Sequence, residues 1–213
     1  MILQGTEILT SFIHIVSESL LAPVIIVLVI FLILAILFFG GFLNEMFTKK
    51  PLKSQGLANL LQKINDVGSP EEIISVVESS DLYQEQKDVL VSISRNHNLG
   101  PEARRAYAAK LIEEEQTKLM SLTSKTDVLV RLGPIFGLMG TLIPLGPGLA
   151  ALGTGDITTL AESLTIAFDT TVTGLIVGAL GFIVSKYRKQ WYDGDLTTTE
   201  TVAETILEKL NEF

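Results

Sequence analysis

Thr141, Asp169, Thr170, Thr171 and Thr173 sit where the chain is mostly apolar, and these residues could do chemistry. Thr141 lies in the stretch Leu132–Leu152 (LGPIFGLMGTLIPLGPGLAAL), and Asp169, Thr170, Thr171 and Thr173 lie in Leu164–Ser185 (LTIAFDTTVTGLIVGALGFIVS). Hydroxyls and a carboxylate at membrane depth are expected to mark a polar path or a partner-binding face. A polar path of this kind is compatible with H+ or with Na+. A carboxylate there must be protonated, paired or wet, because a bare charge at the bilayer centre costs about 2.5–3.5 kcal/mol. Asp169 lies a turn or two from the outer end of its stretch, within reach of water from that side.

The same stretches carry Gly133, Gly137 and Gly140 on one helix and Gly174, Gly178 and Gly181 on the other. Such small-residue faces let helix backbones approach closely in lipid. Packing of two spans within the chain accounts for the glycines, but it needs no threonines. Pro144 and Pro147 interrupt the outer half of the first stretch, where each removes a backbone hydrogen bond and can kink a helix. They either widen an ion entrance or end the helix early.

Other chemistry finds little support. The chain has no cysteine, so disulfides and thiolate metal sites are excluded. It has no Walker loop, GxSxG elbow, HExxH helix or clustered histidines, so neither an enzyme, a cofactor nor a metal site is expected. The net charge of −8 disfavours nucleic acid as a partner. His14, His97 and the run Glu113-Glu114-Glu115 read as ordinary interfacial or solvated residues.

The elements that must position these residues begin with a strong membrane span. Leu20–Leu43 (LLAPVIIVLVIFLILAILFFGGFL) has 24 residues without a charge, and a bilayer core needs about 20 helical residues. A cleaved signal peptide is not expected, because residues 1–19 contain no Lys or Arg and the apolar core is too long. Ile8, Leu9, Phe12, Ile13, Val16 and Leu20 recur at helical spacing before the span, as in an amphipathic surface helix.

Charge placement turns the two weaker stretches into spans. All 16 Lys and Arg fall between Lys49 and Arg131 or between Lys186 and Lys209. By the positive-inside rule the N-terminus is outside, the middle region and C-terminus are inside, and the turn near Gly153–Ala161 is outside. Three spans satisfy this, whereas two would leave one basic cluster outside. The expected organisation is an outer amphipathic helix over 1–19, spans over 20–43, 127–152 and 162–190, a cytoplasmic helical region over 44–126, an outer turn over 153–161 and a cytoplasmic helix over 191–213.

Within the cytoplasmic region, Ser69-Pro70-Glu71-Glu72 has the form of an N-cap, a Pro at N1 and a capping-box Glu at N3, with Ile73, Ile74, Val76 and Val77 facing inward. Asn98-Leu99-Gly100-Pro101 ends one helix and starts another. From Glu102 no Gly or Pro intervenes before the second span, so a helix from Pro101 to about Leu152 would be roughly 75 Å long, far more than a bilayer requires. Asp193-Gly194-Asp195 is expected to break the third helix, leaving Thr197–Phe213 as a last amphipathic helix.

Two motifs carry a family resemblance. Gly133-Pro134-Ile135-Phe136-Gly137-Leu138-Met139-Gly140-Thr141 resembles the A-P-x-x-G-L-x-G-T-V signature of the ExbB/TolQ branch of the MotA/TolQ/ExbB proton-channel family. Ala167-Phe168-Asp169-Thr170-Thr171-Val172-Thr173-Gly174-Leu175 is similar to that branch's A-L-x-x-T-A-x-G-L stretch. The resemblance implies an all-α integral membrane protein with three transmembrane helices, long cytoplasmic helical extensions and a homopentameric ring in the cytoplasmic membrane. Single-span partner helices of the ExbD/TolR/MotB kind, each with a transmembrane aspartate as proton carrier, would sit in a central pore.

On this resemblance Thr141 and Thr171 match the family's pore threonines. Asp169 departs from the pattern, since relatives have an apolar or small residue there and a pore carboxylate about a turn earlier, where this chain has Ile166. The implied function is a motor subunit that energises transport or another mechanical task with the proton-motive force. The alternatives are a membrane scaffold without ion conduction and a flagellar stator subunit of the MotA type.

Overall fold

The computed structural model describes residues 2–49 and 54–213, with the side chains of residues 2–8 and 10 outside the description. These residues form seven helices: α1 (Ile2–Ser19), α2 (Leu21–Thr48), α3 (Ser54–Asn65), α4 (Pro70–Glu78), α5 (Gln84–Arg95), α6 (Pro101–Gly153) and α7 (Ile157–Lys209). No strand occurs among the described residues. Three helical segments are long and apolar enough to cross a membrane: Ser11–Thr48, α6 and α7. The chain divides into two compact units, Met1–Phe47 with Ser124–Lys186, and Thr48–Thr123 with Tyr187–Phe213.

In the first unit α2 packs on α6 and α7 through Ala35, Leu129 and Val177, with Phe31, Leu32, Leu34, Phe38 and Leu180 around them. Phe31 and Phe136 meet edge to face, ring centres 5.6 Å apart. Ile26, Ile33, Ile36 and Leu37 of α2 stay exposed, as expected of a helix that is apolar all round and meets lipid or another chain.

α6 continues through Pro134, Pro144 and Pro147 to Gly153, so Pro144 and Pro147 do not end the helix early. Tertiary packing tolerates them, as it does in other spans. The turn expected over 153–161 contracts to Thr154–Asp156, with Gly155 at φ 81°, a left-handed conformation that a residue without a Cβ adopts freely. Asp156 then opens α7 by accepting hydrogen bonds from the Thr159 amide at 3.1 Å and the Thr159 hydroxyl at 2.6 Å. Those two bonds hold its carboxyl below the usual range.

The second unit has its own core of Leu60, Ile64, Ile73, Val77, Leu90, Ile93, Ala108, Val202 and Ile206. Ser69 caps α4 by accepting from the Glu72 amide at 3.4 Å, while the Glu72 carboxylate accepts from the Gly68 amide at 2.9 Å. Ile73 and Val77 are buried, with Ile74 and Val76 packed against the core. Arg104 lies beneath the end of α7, where its guanidinium donates to the Leu210 carbonyl at 2.9 Å and to the Asn211 side chain at 3.3 Å.

One expectation is corrected here. Asp193-Gly194-Asp195 does not break the third helix, and α7 runs without interruption to Lys209. A single helical glycine costs only about 1 kcal/mol relative to alanine, and tertiary bonds offset it. The Gln86 amide donates to the Asp195 carbonyl at 2.7 Å and to the Thr199 hydroxyl at 3.1 Å.

Candidate functional site

α6 and α7 meet along their glycines. A Cβ built on Gly133 would lie 3.1 Å from the Gly174 carbonyl, and one on Gly137 would lie 3.1 Å from the Thr170 carbonyl. A Cβ on Gly178 would meet the Pro134 ring at 2.8 Å, and one on Gly181 the Val130 amide at 3.2 Å. The repeat of four then three residues puts each glycine set on one helix face, so backbone meets backbone at Gly133, Gly137 and Gly174, while Val177, Thr170 and Pro134 fill the rest of the seam.

This seam brings Thr141 and Thr171 into contact, hydroxyl to hydroxyl. Thr171 also reaches the Ala167 carbonyl at 3.0 Å, and Thr141 the Gly137 carbonyl at 3.0 Å. Each hydroxyl has one proton and two lone pairs, so the pair retains acceptor capacity for an incoming donor. Both threonines are half-buried, neither sealed nor fully exposed. On α6, Thr141 lies about 140° around the helix from Phe136 and about 120° from Leu129, which meet α2.

Thr170 belongs to the seam in a different way. It is 7% exposed, its hydroxyl donates to the Ile166 carbonyl at 2.8 Å or the Ala167 carbonyl at 3.1 Å, and it fills the space that Gly140 leaves. Asp169 and Thr173 are not brought to the threonine pair. Asp169 precedes Thr171 by two residues, about 200° around a helix, and is exposed. Thr173 donates to the Asp169 carbonyl at 2.7 Å.

Two polar groupings escaped the sequence reading. Across the same α6–α7 seam, the buried Ser185 hydroxyl donates to the Asp127 carboxylate. The signal was a polar residue beside each apolar stretch, Asp127 ahead of one and Ser185 closing the other. In the second unit, Lys49 lies 3.6 Å from the Asp195 carboxylate, with its ammonium 4.9 Å and 5.0 Å from the ring centres of Tyr83 and Tyr192. Burial pushes the Asp195 carboxyl up despite the opposing pull of Lys49, and burial with the Asp195 charge raises the Tyr83 phenol.

The remaining candidates stay plain. His14 lies 3.5 Å from the Glu18 carboxylate with both side chains exposed, and His97 contacts the Ser94 carbonyl at 3.4 Å. Among the described residues, no group of three or more His, Asp or Glu could hold a metal ion.

No curated protein matches the chain. The MotA/TolQ/ExbB proton channel family matches it over residues 81–201, which take in α5, α6 and most of α7, with the glycine seam and the threonine pair. With its three apolar helices, the chain is a multi-pass membrane protein that belongs to the MotA/TolQ/ExbB proton channel family.

Proposed function

We propose that this chain is the ring subunit of an ion-driven motor of the ExbB/TolQ kind. Five copies surround a pore in the cytoplasmic membrane, with the N-terminus outside and the C-terminus in the cytoplasm. The pore holds single-span partner helices of the ExbD/TolR/MotB type, whose membrane aspartate carries a proton inward, with Na+ as the alternative ion. Each charge that crosses releases about 2.3 kcal/mol per 100 mV of membrane potential. That energy drives transport or another mechanical task.

The observation that carries this reading is the Thr141–Thr171 hydroxyl pair at a close glycine seam. A partner carboxyl that donates when protonated and accepts when ionised meets different hydrogen-bond options at such a pair, so cycling protonation can turn the partner within the ring. Asp169 lies on another face of α7, where it faces the outer approach to the pore, and Thr173 accompanies it.

Two measurements test the proposal. Native mass spectrometry of the chain purified with a single-span aspartate-bearing partner should give five copies holding one or two partner helices. Proton flux into vesicles bearing that complex should be lost in Thr171→Val. A complex that conducts as well with Thr171→Val overturns the role of the pair. A chain that stays monomeric or dimeric in lipid and shows no flux with any partner supports a scaffold instead.

A further inference from the structure

In the second unit, the start of α6 and the end of α7 enclose an open groove of about 650 Å³. Arg105, Ala109, Glu113 and Gln116 recur along α6 at steps of four and three, and Glu200, Glu204 and Glu208 along α7 at steps of four, so each set shares one helix face. Ala108, Ile112, Ala203 and Leu207 line it between these walls, and all but Ile112 are buried. The floor is therefore apolar and partly built of small side chains. Gln116 also borders a smaller recess further along α6, which takes in Leu119, Met120, Leu196 and Thr123. Arg105 to Thr123 is 18 positions, roughly 27 Å of helix, and Thr123 stands four residues before the second span expected from 127.

The charge of the groove is one-sided. Among the described residues that line it, four are glutamates and one, Arg105, is a cation. Glu113 is joined to Lys110 at 3.7 Å, whereas the exposed carboxylates of Glu200, Glu204 and Glu208 have no ion pair or hydrogen bond among the described residues. This row works against its own helix. Like charges one turn apart disfavour a helix, and Glu208 stands in the last turn of α7, beside the negative end of the helix dipole. The cations at that end are engaged elsewhere, Lys209 with Glu212 at 2.8 Å and Arg104 with the Leu210 carbonyl at 2.9 Å. A cation from another chain would offset both penalties.

We infer that this groove docks a basic amphipathic helix, the cytoplasmic flank of the single-span partner. A helix enters such a groove through apolar side chains at i, i+3, i+4 and i+7, for which Ala108 and Ala203 leave room, while its Lys or Arg meet the α7 row. A single-span protein oriented by the positive-inside rule carries its Lys and Arg at the cytoplasmic end of its span, the side on which the orientation proposed above puts this unit. Anionic lipid would be repelled by the same row. Five copies present five equal grooves, and exposed ion pairs are individually weak, so the flank can pass from one groove to the next as the partner turns. This inference rests on the ring-subunit reading.

The test is photo-cross-linking in the full complex of chain and single-span partner, with a benzophenone amino acid in place of Ala109, an exposed position on the α6 wall. Mass spectrometry of the adduct should map it to a Lys- or Arg-bearing segment beside the partner's span, with a yield that falls as salt is raised. Exchanging Glu200→Gln, Glu204→Gln and Glu208→Gln together should lower the yield about tenfold, the combined scale of three exposed ion pairs. The same exchange removes like-charge repulsion, so the unfolding midpoint of the chain without partner should hold or rise. Glu78→Gln, at an exposed carboxylate of α4 in the same unit, should leave the yield unchanged.

An adduct with a second copy of this chain overturns the inference and makes the groove a contact between copies. A partner adduct whose yield ignores both salt and the triple exchange overturns it too, as does a complex that retains its partner and conducts but gives no adduct; each leaves the ring-subunit reading standing. A chain that retains no single-span partner at all removes both.

Discussion

Gly174 lies against Gly133 so closely that a Cβ on Gly174 would sit 2.6 Å from the Gly133 carbonyl oxygen and 2.8 Å from the Gly137 Cα. Both atoms are backbone and cannot rotate away. Gly174→Ala must therefore spread α6 from α7, at about 1–3 kcal/mol, the range for overpacked sites. Gly146, with nothing within 4 Å of an added Cβ, is the control. Gly146→Ala should hold or raise stability, by up to about 1 kcal/mol through helix propensity. Thermal unfolding in detergent compares the two, and equal midpoints would contradict the close seam.

The threonine pair should couple weakly in stability, however much it matters to flux. Thr171 retains the Ala167 carbonyl and Thr141 the Gly137 carbonyl when the other hydroxyl is removed. A double-mutant cycle of Thr141→Val and Thr171→Val should therefore give a coupling of about 0.6 kcal/mol and no more than about 1.7, the average and the largest value for interhelical hydrogen bonds in lipid. A coupling near zero would mean that the hydroxyls do not meet.

What was legible in the sequence followed the helical period. Gly133, Gly137 and Gly140 share a face by spacing alone, as do Gly174, Gly178 and Gly181, and Ser69 with Glu72 announces the start of α4. Less legible were features set by partners distant in the chain. Asp193-Gly194-Asp195 has the composition of a break, and only Gln86, 109 residues from Asp195, shows why the helix continues. Asp127 and Ser185 are 58 residues apart, and their meeting depends on the register of α6 against α7. Asp169 was grouped with the threonines by proximity in sequence, although a two-residue offset places it on another helix face.

Arg104 should be among the most sensitive positions of the second unit. It is 4% exposed, and its guanidinium serves the Leu210 carbonyl and the Asn211 side chain just beyond the end of α7. A cation there also complements the negative end of the helix dipole. Arg104→Met keeps much of the apolar stem and removes the donors. The expected loss is about 1.5–3 kcal/mol, as for hydrogen bonds to a charged group, read as a lowered unfolding midpoint. No change would mean that the end of α7 is held by its apolar residues alone.

Asp195 predicts a pH dependence whose sign can be worked out. Its carboxyl is raised above the ordinary value of 3.8 chiefly by burial; Lys49 opposes the rise and Glu85 adds to it. The folded chain therefore binds this proton more tightly than the unfolded chain. Its contribution is complete below 3.8 and is lost as pH rises through the raised folded value. Asp195→Asn keeps the backbone carbonyl that Gln86 holds but cannot titrate. On acidification from neutral pH toward 3.8, the unsubstituted protein should gain stability relative to Asp195→Asn. Unfolding midpoints of the two, measured across that range, should converge or cross in this direction; divergence the other way would mean that the Lys49 attraction outweighs burial and that the ionised pair is the stable form.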